Sequence, residues 1–191
     1  MHLHRPTFAL TLLAAATIAG SAAFTRPDAP DDGGLALSAS LAERKLYIHD
    51  GAGTLAFDVA VGKDAKPTPT GTFTIRKIVW NPAWVPPDEK WARGRAPQPP
   101  GAAKNPMKVV KIFFQEPDYY IHGTDDVESL GAAASHGCLR MHPDDAYRVA
   151  RYLMEHGGQP RDESWFARVW HLRSETKTVY LDNPVPLTIG D

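Results

Sequence analysis

Residues 120–141 read YIHGTDDVESLGAAASHGCLRM, and the rest of the chain is best understood from there. The stretch contains Cys138, the single cysteine, and two of the eight histidines, His122 and His136. Tyr119-Tyr120-Ile121 has the aromatic and β-branched character of a strand, and His122-Gly123 falls where that strand ends. Gly137 directly precedes the cysteine. It permits a backbone turn closed to other residues and leaves room for a substrate beside the sulfur. A histidine at a strand end and a cysteine in a glycine turn can meet as base and nucleophile.

Outward from this stretch the chain reads as mainly β. Leu35–Ser40 and Lys45–His49 predict two strands, and Thr54–Val61 returns with Leu55, Phe57, Val59 and Val61 in alternation across an Asp50-Gly51 turn. His49, beside that turn, is expected to be solvated. Thr72 to about Val79, Val109–Phe114 and Asp118–His122 supply further strands. Pro143-Asp144-Asp145 opens a helix, with proline in the first turn and acids at the positive end of the helix dipole. Ala146, Val149, Ala150 and Leu153 form its apolar stripe, and Gly157-Gly158 closes it. Residues 159–168 are expected to be a connection, followed by strands at Val169–Leu172, Thr178–Leu181 and Pro186–Ile189. Residues 81–106 form a long loop with seven prolines, Trp84 and Trp91. Its two tryptophans are expected to pin it to the body rather than to form a lid.

A hydrophobic content of 43% suffices for one core in 191 residues, and the 17 prolines argue for decorated loops rather than a helical bundle. A formal charge of −1 gives no reason to expect nucleic acid as a partner. At the N-terminus, Arg5 precedes an apolar run from Phe8 to Ile18, and Ser21-Ala22-Ala23 offers a cleavage site after Ala23. That run is short for a membrane span, which needs about 20 residues. Residues 1–23 are therefore expected to be a signal peptide, with an uncleaved N-terminal anchor as the rival reading. Their removal takes away Arg5 and no acid, so the formal charge moves from −1 to −2. Residues 24–34 follow as a linker, and 35–191 as one folded domain, with a core over 35–158 and a C-terminal extension over 159–191. Export gives the cysteine added weight, because an unpaired thiol in an oxidising compartment is a hazard unless it is used or buried.

Either histidine could activate Cys138. His136, two residues away, shares a face with the sulfur in an extended segment, and His122 lies at a strand end; spacing favours neither. His122, His136 and Cys138 are also acceptable zinc ligands, but their spacing matches no standard site and no fourth ligand stands nearby. No metal and no cofactor are expected. The backbone N–H groups of Gly137 and Cys138 are natural donors to an oxyanion. Ser135 is expected to make a loop hydrogen bond. Arg140 is expected either to pair with a substrate carboxylate or to hold the loop.

His122-Gly123-Thr124, a variable loop and Ser135-His136-Gly137-Cys138-Leu139-Arg140 together resemble the signature of the L,D-transpeptidase catalytic domain family, also called YkuD-like. Pro67-Thr68-Pro69-Thr70-Gly71-Thr72-Phe73 is similar to a second segment of that family. The resemblance covers about residues 35–158. It implies a β-sandwich or barrel-like fold with one or two short helices. It makes Cys138 the nucleophile, His122 the base and the Gly123 carbonyl the group that orients the imidazole. It further implies peptidoglycan stem tetrapeptides as acyl donors, loss of D-alanine, transfer of the acyl group to an amine, and a place in the periplasm or cell wall. A hydrolase that passes the acyl group to water, and a non-catalytic wall-binding domain, are the alternatives that the same residues admit.

Overall fold

The computed structural model describes residues 34–191; the expected leader, and all of the linker except Gly34, lie outside the described residues. The strands are β1 (Ala36–Ser40), β2 (Lys45–Asp50), β3 (Gly53–Gly62), β4 (Gly71–Trp80), β5 (Lys108–Gln115), β6 (Tyr119–Gly123), β7 (Ala133–Ser135), β8 (Leu139–Met141) and β9 (Lys177–Gly190). They form one sheet in the order β2-β1-β9-β4-β5-β6-β8-β3-β7. β2 also pairs with β3, which closes the sheet on itself into a barrel. Closure leaves few open edges, which is how an all-β domain avoids pairing with other chains.

Alternation decides which side of each strand is buried. Leu46 and Ile48 of β2, Phe57 and Val59 of β3, Ile75 and Ile78 of β4, Val110 and Ile112 of β5, Ile121 of β6, and Leu139 and Met141 of β8 join one core. Helix α1 (Pro143–His156) packs on β5 and β6 through Ala146, Val149, Ala150, Leu153 and Met154. His142 caps its start, and Gly157 follows its end. Trp80, wholly buried at the end of β4, donates its indole N–H to Met154 Sδ at 3.2 Å and meets Tyr147, Trp165 and Phe166 edge-on. This aromatic cluster binds both helices to the sheet.

The tail departs from the sequence reading in two places. Residues expected to form a connection and then a strand at Val169–Leu172 instead build helix α2 (Glu163–His171). Asp162 caps it, its carboxylate accepting from Trp165 N at 2.7 Å. Trp165, Phe166, Val169 and Trp170 carry a helical repeat, and Phe166 and Val169 are the buried pair. The two late strand candidates are one strand, β9. Its register against β4 slips between Ile75 and Lys77, and the exposed run Asp182–Pro184 interrupts the alternation between buried Leu181 and Val185. β1 covers β9 only from Leu187 onward, so the part holding Pro184 and Pro186 has an uncovered edge, where a strand tolerates proline. His49 also differs from expectation: it is half-buried and hydrogen-bonded to Ser38 Oγ at 2.8 Å and Thr54 Oγ1 at 3.1 Å.

Candidate active site

β6 and β8 run parallel as neighbours, with Ile121 opposite Leu139 and His122 opposite Arg140. Parallel neighbours need a crossover of a dozen or more residues, and Thr124–Cys138, with β7 inside it, supplies one. Residues two apart on a strand share a face. Tyr120, His122, Cys138 and Arg140 therefore lie on the face opposite Ile121 and Leu139, which are in the core. Lys111 of β5 is opposite His122 and joins the same face. The sheet thus brings Cys138 and His122 together on one surface.

Two glycines make this packing possible. Gly137 has φ of +107°, and a Cβ there would lie 2.7 Å from the Tyr119 ring. A Cβ on Gly123 would lie 2.6 Å from the Lys108 carbonyl, so only glycine lets β6 approach β5 so closely. Ser135 ties the turn together. Its hydroxyl donates to the Cys138 carbonyl at 2.6 Å and accepts from Gly137 N at 3.0 Å. The Gly137 N–H, expected from sequence as an oxyanion donor, is thereby already engaged inside the turn. Of the expected pair, the Cys138 N–H remains.

His122 is 3% exposed, and its Nδ1 lies 2.8 Å from the Gly123 carbonyl. A carbonyl can only accept, so Nδ1 carries the proton and Nε2 keeps its lone pair. Burial pulls the imidazole pKa down to about 3. Cys138 is partly exposed, yet its sulfur sits at the floor of a cleft, donating to the Asp118 carbonyl at 3.4 Å. Burial pushes this thiol up to about 11, opposed by the Tyr120 N–H, the Lys111 charge, the Tyr120 hydroxyl and Arg140. The pair thus rests at neutral pH as thiol and uncharged imidazole. Burial also raises the Tyr120 phenol above its ordinary value, so it remains a hydrogen-bond donor facing the sulfur.

The cleft has a volume of about 600 Å³. Its floor is the sheet face just described, and its wall is the 81–106 loop. Trp84 is buried and pairs with Gln98, which fits the expected pinning role. Trp91 differs: it stacks on His136, with ring centroids 4.0 Å apart and planes 13° from parallel, and lines the cleft. Lys66 joins Glu89 at 2.5 Å and fastens this wall to the loop before β4. Asn81 and Asn105, each followed by proline, anchor the two ends of the loop. Asn81 Nδ2 donates to Val169 O at 2.8 Å, and Asn105 Nδ2 donates to Pro82 O at 2.9 Å. Arg140 is held by Asp126 at 3.2 Å. Sequence reasoning missed Tyr120, Lys111 and Asp126, whose roles depend on which strands are neighbours. Among the described residues, no group of three or more His, Cys, Asp and Glu is gathered as metal ligands.

Comparison with known proteins agrees with this fold. YkuD of Bacillus licheniformis, provisionally named an L,D-transpeptidase, is 30% identical over 122 residues, covering 63% of this chain and 61% of that protein. YbiS of Escherichia coli K12, also provisionally named an L,D-transpeptidase, is 31% identical over 113 residues, covering 54% and 37%. The chain thus spans less than two thirds of the length of these relatives. L,D-transpeptidase 3 from Mycobacterium tuberculosis has the same fold with a TM-score of 0.52 at 12% identity, covering 82% of this chain and 61% of that one. An L,D-transpeptidase from Mycobacterium smegmatis gives 0.51 at 17% identity, covering 81% and 58%. The family model described as L,D-transpeptidase catalytic domain matches residues 36–179, well over half of the chain, and the chain belongs to that family.

Proposed function

We propose that the protein is an exported cysteine acyltransferase acting on peptidoglycan stem tetrapeptides. The observation that carries this reading is the placement of Cys138 and His122 on one face of paired strands at the floor of a large cleft. Family membership supplies the substrate class, and residues 1–23 supply the reason to expect export.

The chemistry follows from the resting charges. A neutral thiol is a poor nucleophile, so its proton must leave as the sulfur attacks. His122 Nε2 takes that proton, while Nδ1–H donates to Gly123 O and steadies the imidazolium that forms. The Cys138 Sγ bonds to the carbonyl carbon of the third stem residue, and the carbonyl oxygen becomes an oxyanion. The Cys138 N–H and the Tyr120 hydroxyl are the donors placed to receive it. The carbon–nitrogen bond then breaks, and D-alanine leaves with the proton that His122 returns. An incoming amine gives its proton to His122 and attacks the thioester; the carbon–sulfur bond breaks, and His122 returns the proton to the sulfur.

Incubating the mature protein with a disaccharide-tetrapeptide tests this directly. Mass spectrometry should show the donor, less one alanine, attached to the peptide containing Cys138, and then joined to an added amine. An adduct on any other residue, or none, would overturn the reading. A product carrying water in place of the amine would assign the hydrolase instead.

A further inference from the structure

The acids lining the cleft are mostly already matched. Glu89 pairs with Lys66, Asp125 with Lys108 at 3.1 Å, and Asp126 with Arg140 at 3.2 Å. Arg140, expected either to pair with a substrate carboxylate or to hold the loop, is therefore occupied. Lys111 is not: among the described residues its ammonium has no carboxylate within salt-bridge distance. Asp118, exposed on the β5–β6 turn, is not among the groups that act on it; the ionisable group that does is Cys138. Arg95, the other cleft cation without an acid partner, is exposed above the Trp91 ring at 5.7 Å.

Lys111 is half-buried, opposite His122 in register, and its Nζ lies 4.5 Å from the centre of the Tyr120 ring. The hydroxyl of that ring reaches the nucleophilic sulfur. Burying an uncompensated ammonium is costly, and here burial pulls its pKa down. An anion arriving beside it offsets that cost. The donor carries one in the right place, because one residue of extended chain spans about 3.3–3.6 Å and the scissile carbonyl is followed by a single residue ending in a carboxylate.

We propose that Lys111 binds the terminal carboxylate of the acyl donor and so restricts attack to the last peptide bond. This deepens the acyl-transfer reading above and rests on it. The carboxylate stays with the departing amino acid, so the contact orients the leaving group as well as the carbonyl. Tyr120, between cation and sulfur in function, would feel both.

The test compares a tetrapeptide donor with its C-terminal carboxamide, measuring kcat/KM for both with wild type, Lys111→Met and Lys111→Arg. Wild type should favour the acid by about 10- to 100-fold, the ratio expected of one charge-assisted hydrogen bond. Lys111→Met should bring the ratio within about threefold of one, and Lys111→Arg should restore most of the preference. Lys111→Gln serves as the neutral variant if methionine prevents folding. If a neutral variant slows both donors equally and keeps the preference, the lysine serves the sulfur and the proposal is overturned, while acyl transfer stands. If wild type turns over neither donor and Cys138 gains no acyl mass, the acyl-transfer reading fails and takes the proposal with it.

Discussion

The floor and the wall of the cleft are built by opposite means. The floor is strand on strand: β5, β6 and β8 fix Lys111, Tyr120, His122 and Cys138 by register, and a slip of one residue would turn all four away. The wall is a loop held at its ends by Asn81 and Asn105, with Trp91 laid on His136 between them. Chemistry that tolerates errors of a fraction of an ångström sits on the rigid part. Contacts to the rest of the substrate, which tolerate more, sit on the part that can change without moving the sulfur.

Variants of Cys138 and His122 on the floor should act on turnover, and variants of the wall on binding or stability. Cys138→Ser should have the largest effect. It removes little volume, so the melting temperature should stay near that of wild type, while turnover falls by at least about 10³-fold because a hydroxyl is a far weaker acid than a thiol. Retained turnover would remove the floor from the chemistry altogether.

His122→Gln should lower kcat by about 10²- to 10⁴-fold, the usual worth of a general base. It carries a second signature. The His122 pKa is about 3 in the fold and about 6.5 in an unfolded chain, so between those values the unfolded state holds more protons. This contribution to stability is complete above about pH 6.5 and is lost as pH falls toward 3. Urea melts at pH 7 and pH 4.5 should show wild type losing up to about 2–3 kcal/mol more than the variant. Equal losses would mean that the imidazole is not buried as described.

On the wall, Asn105→Ala removes two donated bonds and the acceptor for Met107 N at 2.8 Å, all at a residue 1% exposed. Stability should fall by about 1–3 kcal/mol, read by denaturant melts, with the alkylation rate of Cys138 little changed. Trp91→Ala should have the smallest effect: KM for the donor rises about 10-fold, with kcat within about threefold. A large loss of kcat instead would make His136, which Trp91 covers, part of the chemistry and would blur the division.

The same division explains what could be read from the sequence. The floor announced itself, because Gly137-Cys138 and His122-Gly123 are unusual residues at fixed places and alternation marks the strands around them. The partners of that floor did not. Lys111 lies in an ordinary strand, and only the β5–β6 register places it opposite His122. Gly137 N–H was expected to face the substrate, but the Ser135 hydroxyl is closer and takes it. The wall was less legible still. Two tryptophans in a proline-rich loop read alike, yet Trp84 is pinned and Trp91 lies over the site, a difference set by tertiary contact. Helix α2 was missed although Asp162 and the Trp165-Phe166-Val169-Trp170 spacing signal it, because Val169-Trp170 taken alone suits a strand as well.

β9 lies between β1 and β4, and its last residues pair with β1 from Leu187 onward. The first strand described thus waits for the last one before the barrel can close. Until residues 177–190 take their place, the sheet is open between β1 and β4. Pairing across so long a separation makes closure a late and slow event. The strand that seals the barrel is thus the last of the described strands, and the surface on β5, β6 and β8 gains its closed barrel only when β9 takes its place.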